Sequence, residues 1–395
     1  MCLVQSTVQR VDVHRVPCSG PGDLRGVQAL IDTGALVPAD IVAVMGKTEG
    51  NGCVNDHTRD FAATSWCHFL SPHLDCAPAA VAQRVALVMS GGTEGVLSPH
   101  FTVFTRRRVA APGHAHKRLV VGIAPTRDFL PEEMGRAAQI SATAAATRAA
   151  MADAGITDPA DVHFVQVKCP LLTAAKVQAA LARGAEPATH EAYESMGFSR
   201  GASALGVAVA LGEVPADAAT DAAVLSDWSL YSARASASAG IELEHNVVIV
   251  LGEAVGAASA IRIGHTVMHD AVDAASVRSL LRDHFDIDPD GPALQQVLVN
   301  LLAKAEASPD GRVRGERHTM LNDSDINATR HARAAVGGVL ASVVGHTALY
   351  VSGGAEHQGP AGGGPVAALV RTDVRVDGGR PAAALVRVES GAAHG

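Results

Sequence analysis

One arrangement occurs three times along the chain, and this repetition constrains the possible folds more than any other feature. Each copy has a helical pattern, a Pro/Asp turn and a short β-branched run that predicts a buried strand. The three runs are Ile41–Val44, Val162–Val167 and Val297–Leu302. A lysine stands at or near the end of each run: Lys47, Lys168 and Lys304.

A second triplet follows in the same order. In each copy a Ser-x-Gly-x-Glu motif comes after a further strand-like run, and an arginine in a polar segment precedes it. The serines are Ser90, Ser238 and Ser352, and the glutamates are Glu94, Glu242 and Glu356. The arginines are Arg59, Arg200 and Arg333. Three Lys–Arg–Ser sets in one order are hard to produce by chance, so we predict three related units.

The alternation of strand and helix predicts that each unit is an α/β domain. Arg106–Arg108 with Ala110–Gly113 is the predicted linker between the first two units, and the Ala/Gly-rich Glu253–Ser259 separates the second from the third. The predicted domains are residues 1–106, 114–252 and 260–395, each large enough for its own sheet and helices. Packed around an axis, the units would bring three lysines and three arginines to one point.

The composition argues against several classes of protein. The 395 residues include 32 basic and 40 acidic side chains, a net charge of −8, which disfavours nucleic acid or an anionic membrane as the main partner. Aromatic residues are only 3%, so base-stacking platforms are not expected. No apolar run approaches 18 residues and the N-terminal residues show no secretory pattern, so a cytoplasmic protein is predicted. The six cysteines form no Cys-x-x-Cys pair and the 18 histidines are scattered, which argues against catalytic zinc.

The three sets are suited to nucleophilic chemistry. A serine hydroxyl needs a neighbouring base, and a lysine can serve when burial or nearby cations lower its pKa. The Ser-x-Gly turns would present backbone N–H groups to carbonyl oxygens, as an oxyanion hole requires. A single lysine at a strand end is ordinarily solvated and a single Ser-Gly-Gly is ordinarily a turn. The threefold recurrence favours function, with a ligand that has three equivalent carbonyl edges.

Gly46-Lys47-Thr48 suggests a different interpretation, the phosphate-binding loop of a nucleotide-binding protein. That motif needs a glycine five residues before its Gly-Lys, and Ile41 stands there. The sequence therefore argues against phosphoryl transfer.

Long strings of the sequence resemble one family, that of cyanuric acid amidohydrolase and barbiturase. The resemblance extends from about Val11 to about Val370, and several strings are more similar to the cyanuric acid enzymes than to the barbiturases. The strings are GKTEGNGCVND, VMSGGTEGVLSPH, HFVQVKCPLLTA, YESMGFSRGASALG, LAKAEASPDG, HTMLNDSDINATRHARA and VSGGAEHQGPAGGGPVA.

The resemblance implies three structurally similar α/β repeat domains around a pseudo-threefold axis, with a central active site. It implies hydrolytic opening of a cyclic imide by a Ser-Lys dyad, without a cofactor for the chemistry, in a homotetramer. Cyanuric acid would give carboxybiuret and then biuret and carbon dioxide; a barbiturase would give ureidomalonate. Lys168 matches the catalytic lysine and Ser238 the nucleophile, and Arg59, Arg200 and Arg333 match substrate-binding arginines. The carbonyl-binding pairs match Ser90–Gly91, Ser238–Ala239 and Ser352–Gly353, and Lys47 and Lys304 complete the substrate-binding set.

The sequence leaves some alternatives open. Only the motif register selects Ser238 over Ser236, and Lys47 with Ser90 or Lys304 with Ser352 could be the reactive pair. A non-catalytic protein that binds cyclic imides is a further alternative, although binding alone would not require three candidate bases.

A divalent cation, magnesium or calcium, is expected near the end of the chain. The glycine-rich loop AEHQGPAGGG from Ala355 can turn several carbonyl oxygens inwards, and with a carboxylate it suits a hard cation. A plain flexible turn is the alternative. The resemblance places the site at Glu306, Ala355, Gln358, Gly359, Pro360 and Gly363.

Overall fold

The described part of the chain contains three four-stranded sheets with one shared strand order. The computed structural model describes residues 7–111 and 113–374. The strands of the first sheet are β1 (Val8–Pro17), β2 (Ile41–Thr48), β3 (Ala86–Gly91) and β4 (His100–Val109). Those of the second are β5 (Arg118–Pro125), β6 (Val162–Pro170), β7 (Ala235–Gly240) and β8 (Val247–Ala254). Those of the third are β9 (Ile261–Met268), β10 (Leu298–Ala305), β13 (Tyr350–Gly353) and β14 (Gly364–Arg371).

The three sheets are built in the same way, and we call them the first, second and third units. Their strand orders are β1-β4-β2-β3, β5-β8-β6-β7 and β9-β14-β10-β13. In each unit the two strands that carry the lysine and the serine are parallel neighbours, and the other pairings are antiparallel. A small hairpin, β11 (Arg312–Val313) with β12 (Glu316–Arg317), is added in the third unit. The predicted architecture of three similar α/β repeats is confirmed.

Helices cover one face of each sheet. The first unit has α1 (Arg25–Asp32), α2 (His57–Leu74) and α3 (Pro78–Val81). The second has α4 (Ala137–Ala154), α5 (Ala174–Ala182) and α6 (Ala192–Ala210). The third has α7 (Ala274–Ser279), which continues as a π turn to His284, then α8 (Ala293–Val297) and α9 (Ala328–Val344). No helix in these described stretches is long and apolar enough to cross a membrane.

The lysine-bearing strands β2, β6 and β10 are buried on both faces because each sheet packs twice. One face of each sheet forms a core with the helices of its own unit. The opposite faces of all three sheets meet in a shared central core, with Val11, Phe164 and Ile263 among its fully buried members. Continuous β-branched runs are typical of strands that are buried in this way.

The basic stretch Arg106–Arg108 is part of β4 and not of a linker, so that interpretation of the sequence is wrong. It pairs with Gln9–Val11 of β1, and this pairing satisfies the backbone groups that a linker would leave to solvent. Glu253 likewise belongs to β8. Residues 1–6, Pro112 and residues 375–395 lie outside the described part of the chain, and the domain boundaries stay a prediction.

A histidine cluster joins the second and third units, contrary to the expectation that the histidines are scattered. The ligand atoms of His163, Glu253 and His284 lie within 4.8 Å of one another, which is a spacing that a metal ion could bridge. However, Arg262 already donates from Nε to Glu253 at 3.2 Å, and its Nη2 lies 3.1 Å from His284 Nε2. A guanidinium therefore supplies the positive charge at this site. The sequence could not reveal the cluster because its members are far apart along the chain.

His163 of this cluster lies beside His265, and these two histidines predict that the protein loses stability in mild acid. His163 Nδ1 lies 2.8 Å from His265 Nδ1, so at least one ring must be neutral for this hydrogen bond. Burial lowers the pKa of His163 to about 2 and that of His265 to about 4. The unfolded chain therefore binds more protons once the pH falls below about 6.5, and each histidine costs up to about 1.4 kcal/mol per further pH unit.

Urea unfolding between pH 7.5 and pH 5 measures this slope. We expect His265→Gln, which keeps a hydrogen-bonding partner for His163, to show a smaller loss of unfolding free energy per pH unit than the wild type. Equal slopes in the two proteins would assign the acid sensitivity to other groups.

Candidate active site

In every unit the lysine and the serine lie directly opposite each other on neighbouring parallel strands. The register pairs Lys47 with Ser90, Lys168 with Ser238 and Lys304 with Ser352. The strand-end positions predicted for the lysines are confirmed, although each lysine strand continues beyond the predicted run. All three lysines are almost completely buried.

The three serines meet at the centre of the molecule. Ser352 Oγ lies 3.2 Å from Ser90 Oγ and 3.1 Å from Ser238 Oγ, so one hydroxyl bridges the other two. Because the three hydroxyls come from three different units, this cluster exists only when all three sheets are assembled. The lysines surround it.

Sequence reasoning missed Tyr350, which lies in the third unit two residues before Ser352. The phenol is fully buried beside Ser90 and Ser238, and burial raises its pKa. Its ring centroid is 6.0 Å from Lys47 Nζ. The pseudo-equivalent positions are Val88 and Ser236, so this departure from the repeat was the available indication. Tyr350 makes the centre asymmetric.

Burial lowers the pKa of all three lysines. For Lys304 the pKa falls to about 7. For Lys47 it falls well below the usual range, and Arg333 adds to the effect. For Lys168 burial also lowers the pKa, but the carboxylate of Glu242 opposes the shift. The site can therefore hold neutral amines near neutral pH, which is the protonation state that a general base requires.

The lysines of the first and third units contact their own serines. Lys47 Nζ lies 3.2 Å from Ser90 Oγ, and Lys304 Nζ lies 3.4 Å from Ser352 Oγ. Each also donates to the carbonyl after its serine, Gly91 at 3.3 Å and Gly353 at 2.9 Å.

Lys168 is held differently. It donates to the Met89 carbonyl at 3.0 Å, as Lys304 does to the Ala237 carbonyl at 2.7 Å. The difference is that Lys168 lies 2.9 Å from Glu242 Oε1 and makes no hydrogen bond with its own serine.

The arginines connect the units through the motif glutamates. Arg333 Nε and Nη2 donate to the two oxygens of Glu94 at 2.7 and 2.5 Å. Arg200 makes the same bidentate contact with Glu356, at 2.8 and 2.5 Å. Arg59 instead donates to the Ala239 carbonyl at 2.9 Å. The structure thus brings all the predicted Lys, Arg and Ser side chains to one place, and it adds the glutamates, to which the sequence assigned no role.

The oxygen-rich loop predicted to hold a cation lies against the partly buried carboxylate of Glu306. Glu306 accepts hydrogen bonds from the backbone N–H groups of Ala307 at 3.0 Å and Ala355 at 2.9 Å, and the described residues place no cationic side chain within ion-pair distance of it. Burial raises the pKa of its carboxyl, and the neighbouring Glu356 carboxylate adds to the rise. A carboxylate with these surroundings is suited to binding a metal ion. The amide oxygen of Gln358 is taken by Ala237 N–H, so this residue would offer its backbone carbonyl.

A comparison with models of protein families identifies the family of this chain. Residues 12–371 match the model of the amidohydrolase ring-opening proteins, which is nearly the whole described chain. The chain belongs to this family. Within the family, it is 62% identical over 362 residues to the cyanuric acid amidohydrolase of Pseudomonas sp. strain ADP, covering 91% of this chain and 99% of the relative.

Other members of the family are similar over the same length. The cyanuric acid amidohydrolase of Bradyrhizobium diazoefficiens is 62% identical, with 91% of this chain and 98% of the relative covered. A cyclic amide hydrolase of Azorhizobium caulinodans is 51% identical, with 92% and 100% covered. The family resemblance inferred from the sequence strings is confirmed.

Solved structures in the family share the fold. One cyanuric acid hydrolase superimposes with a TM-score of 0.89 at 61% identity, covering 92% of this chain and 100% of that chain. The cyanuric acid hydrolase from A. caulinodans gives 0.83 at 53% identity, covering 92% and 99%. The three-unit architecture is therefore that of the family.

Proposed function

We propose that the protein is a cyanuric acid amidohydrolase, which opens cyanuric acid by hydrolysis to carboxybiuret. The observation that carries the proposal is the threefold Lys–Ser arrangement around the serine cluster, since cyanuric acid has three equivalent carbonyl edges. The relatives at 62% identity are named for this activity. Carboxybiuret would then lose carbon dioxide to leave biuret.

In the proposed mechanism neutral Lys168 takes the proton of Ser238, and the Ser238 oxygen attacks one ring carbonyl. Backbone N–H groups of the Ser-x-Gly turns, at Gly91, Ala239 and Gly353, stabilise the oxygen that becomes negative. The ring C–N bond breaks, and the Lys168 ammonium returns its proton to the departing nitrogen. Lys168 then takes a proton from water, whose oxygen attacks the acyl-enzyme, and the lysine returns this proton to the departing Ser238 oxygen.

The choice of Ser238 with Lys168 is supported by the asymmetry of the three sets. Ser238 is the most exposed of the three serines, at 7% against 5% for Ser90 and 2% for Ser352. Lys47 and Lys304 are tied to the carbonyls beside their own serines, which suits them to holding the other two edges of the ring. Arg59, Arg200 and Arg333 would bind the electron-rich carbonyls at the same edges.

Parallel ring-opening assays with cyanuric acid and barbituric acid, followed by loss of ultraviolet absorbance, test the substrate. Turnover of cyanuric acid alone is expected. Turnover of barbituric acid alone, giving ureidomalonate, would mean that barbituric acid is the substrate, and the proposed mechanism would be unchanged. Binding of both rings without turnover of either would favour a non-catalytic cyclic-imide binding protein.

We also propose that Glu306 and backbone carbonyls of the glycine-rich loop hold a magnesium or calcium ion that stabilises the fold and takes no part in the chemistry. The carbonyls are those of Ala355, Gln358, Gly359, Pro360 and Gly363. Gly359 adopts a left-handed conformation with φ of +90°, which lets the loop reverse direction.

Removing this ion is expected to lower the melting temperature. A ligand present at 100 times its Kd stabilises the folded state by about 2.7 kcal/mol. Thermal melts of the protein with EDTA, followed by return of magnesium or calcium, measure the effect, and Glu306→Gln should abolish the response. A melting temperature that ignores EDTA in the wild type would count against the site.

The homotetramer and the cytoplasmic location implied earlier stay predictions. Light scattering on the purified protein tests the first, and fractionation of the source cells tests the second.

A further inference from the structure

Two of the three Lys–Arg–Ser sets make the same contacts with their motif glutamates, and they serve as the reference for the third. An arginine from another unit donates through Nε and Nη2 to the motif glutamate, as Arg333 does to Glu94 and Arg200 does to Glu356. Its guanidinium lies over the motif glycine, because a Cβ on Gly92 or on Gly354 would be 2.5 Å from the arginine Nε. The lysine of each set contacts its own serine.

The second unit departs from this pattern at every point. The pseudo-threefold rotation that relates these two pairs would pair the glutamate of the second unit, Glu242, with Arg59. Instead Glu242 contacts Lys168. Arg59 Nε is buried 3.6 Å from Asp56 Oδ2, and among the described residues it has no partner within hydrogen-bond distance. A Cβ on Gly240 would be 2.2 Å from Glu242 Oε2, so this glycine lies against the carboxylate and not against an arginine.

The backbone differs at the same place. Gly92 and Gly354 have φ values of +101° and +75° and lie just beyond their strands. Gly240 has no such positive φ and is still part of β7. Glycine can adopt both conformations at little cost, so the turn after Ser238 can change without strain.

We propose that Glu242 is a positioning residue that exchanges Lys168 for Arg59 when substrate binds, and that this exchange moves Lys168 onto Ser238. The inference rests on the proposed function of the site. In the exchanged state Arg59 Nε donates to Glu242, and Arg59 releases the Ala239 carbonyl. Lys168 then contacts Ser238 Oγ and that carbonyl, as the lysines of the other two units do with theirs.

The exchange would also control protonation. While Lys168 contacts Glu242, the ammonium form is favoured, and an ammonium cannot accept the proton of Ser238. After the exchange Lys168 is still buried and has lost its carboxylate partner, and the remaining neighbours Arg59 and Cys169 add no negative charge while the thiol is protonated. The neutral amine is then favoured, and the ammonium proton leaves to water. The base is formed only when the ring is in place.

The pH dependence of kcat/KM for cyanuric acid tests the role of Glu242, because its acid limb reports the base in the free enzyme. Glu242→Gln removes the charge that raises the pKa of Lys168, so the acid limb should move to lower pH by about one unit or more, while kcat falls about tenfold because Arg59 lacks its partner. Glu242→Asp keeps the charge and should keep the acid limb. Glu94→Gln is the matched control: it removes the equivalent glutamate of the first unit, and the limb should not move.

An acid limb that stays in place in Glu242→Gln, or moves equally in Glu94→Gln, would overturn the proposal and leave the ring-opening activity intact. Failure of the wild type to turn over cyanuric acid is a different result, which rejects the proposed function itself. A crystal structure of Ser238→Ala with cyanuric acid gives an independent test. We expect Arg59 Nε within 3.5 Å of Glu242, a normal hydrogen-bond distance. Glu242 still on Lys168, with substrate bound, would contradict the exchange.

Discussion

Ser238→Ala is expected to lower kcat for cyanuric acid by at least about 10⁴-fold, since no other group then forms the acyl-enzyme. Lys168→Met should cause a similar loss, and the double variant should be little worse than either single one, because a nucleophile and its base act as a unit. The measurement is single-turnover ring opening, which separates the chemical step from binding.

Ser90→Ala and Ser352→Ala are the matched controls, because each removes the same hydroxyl from a pseudo-equivalent set. We expect them to raise KM and to lower kcat far less than Ser238→Ala does. If Ser90→Ala or Ser352→Ala is the inactive variant and Ser238→Ala keeps its kcat, the nucleophile belongs to a different unit. Circular dichroism shows whether each variant is folded.

Arg333→Met is expected to have the second-largest effect, on both activity and stability. The variant loses one of the arginines proposed to bind the ring, and hydrogen bonds to charged groups contribute about 1.5–3 kcal/mol each. We therefore expect kcat/KM to fall by about 10²-fold or more. Because Glu94 loses both hydrogen bonds that it accepts from Arg333, the unfolding free energy should also fall by about 3 kcal/mol.

The double variant Arg333→Met with Glu94→Gln separates the two effects. Without the unpaired carboxylate, the unfolding free energy should recover most of its loss, whereas kcat/KM should stay low. Recovery of activity together with stability would mean that Arg333 acts only through the fold. Urea denaturation and initial rates on the four proteins of this cycle provide the data.

Much of this architecture could be predicted from the sequence because the same pattern of strands and motifs occurs three times along the chain. In each unit the sequence predicts a lysine at the end of one buried strand and a serine after another. The parallel pairing that sets Lys47 opposite Ser90 comes from the structure. Strand lengths were harder to predict. Gly46-Lys47-Thr48 resembles a turn in composition, yet it continues β2 because His100 and Phe101 of β4 pair with it.

The features that the sequence could not predict are the ones that break the repeat. A comparison of copies assumes that they are equivalent, so it could not show that Glu242 contacts Lys168 while Glu94 contacts Arg333. That difference depends on which nearby cationic side chain pairs with each glutamate, and packing between residues that are far apart in the sequence determines the pairing. Tyr350 is similar, because a lone phenol at a strand position is ordinarily part of the core.

The most direct test of covalent ring opening in the second unit is to quench the enzyme with acid during turnover of cyanuric acid and to map the modified peptide by mass spectrometry. We predict an acyl adduct on Ser238 that forms and decays at rates compatible with kcat. An adduct on Ser90 or Ser352 would contradict the assignment of the second unit. Turnover at the full rate with no covalent species would contradict the nucleophilic mechanism.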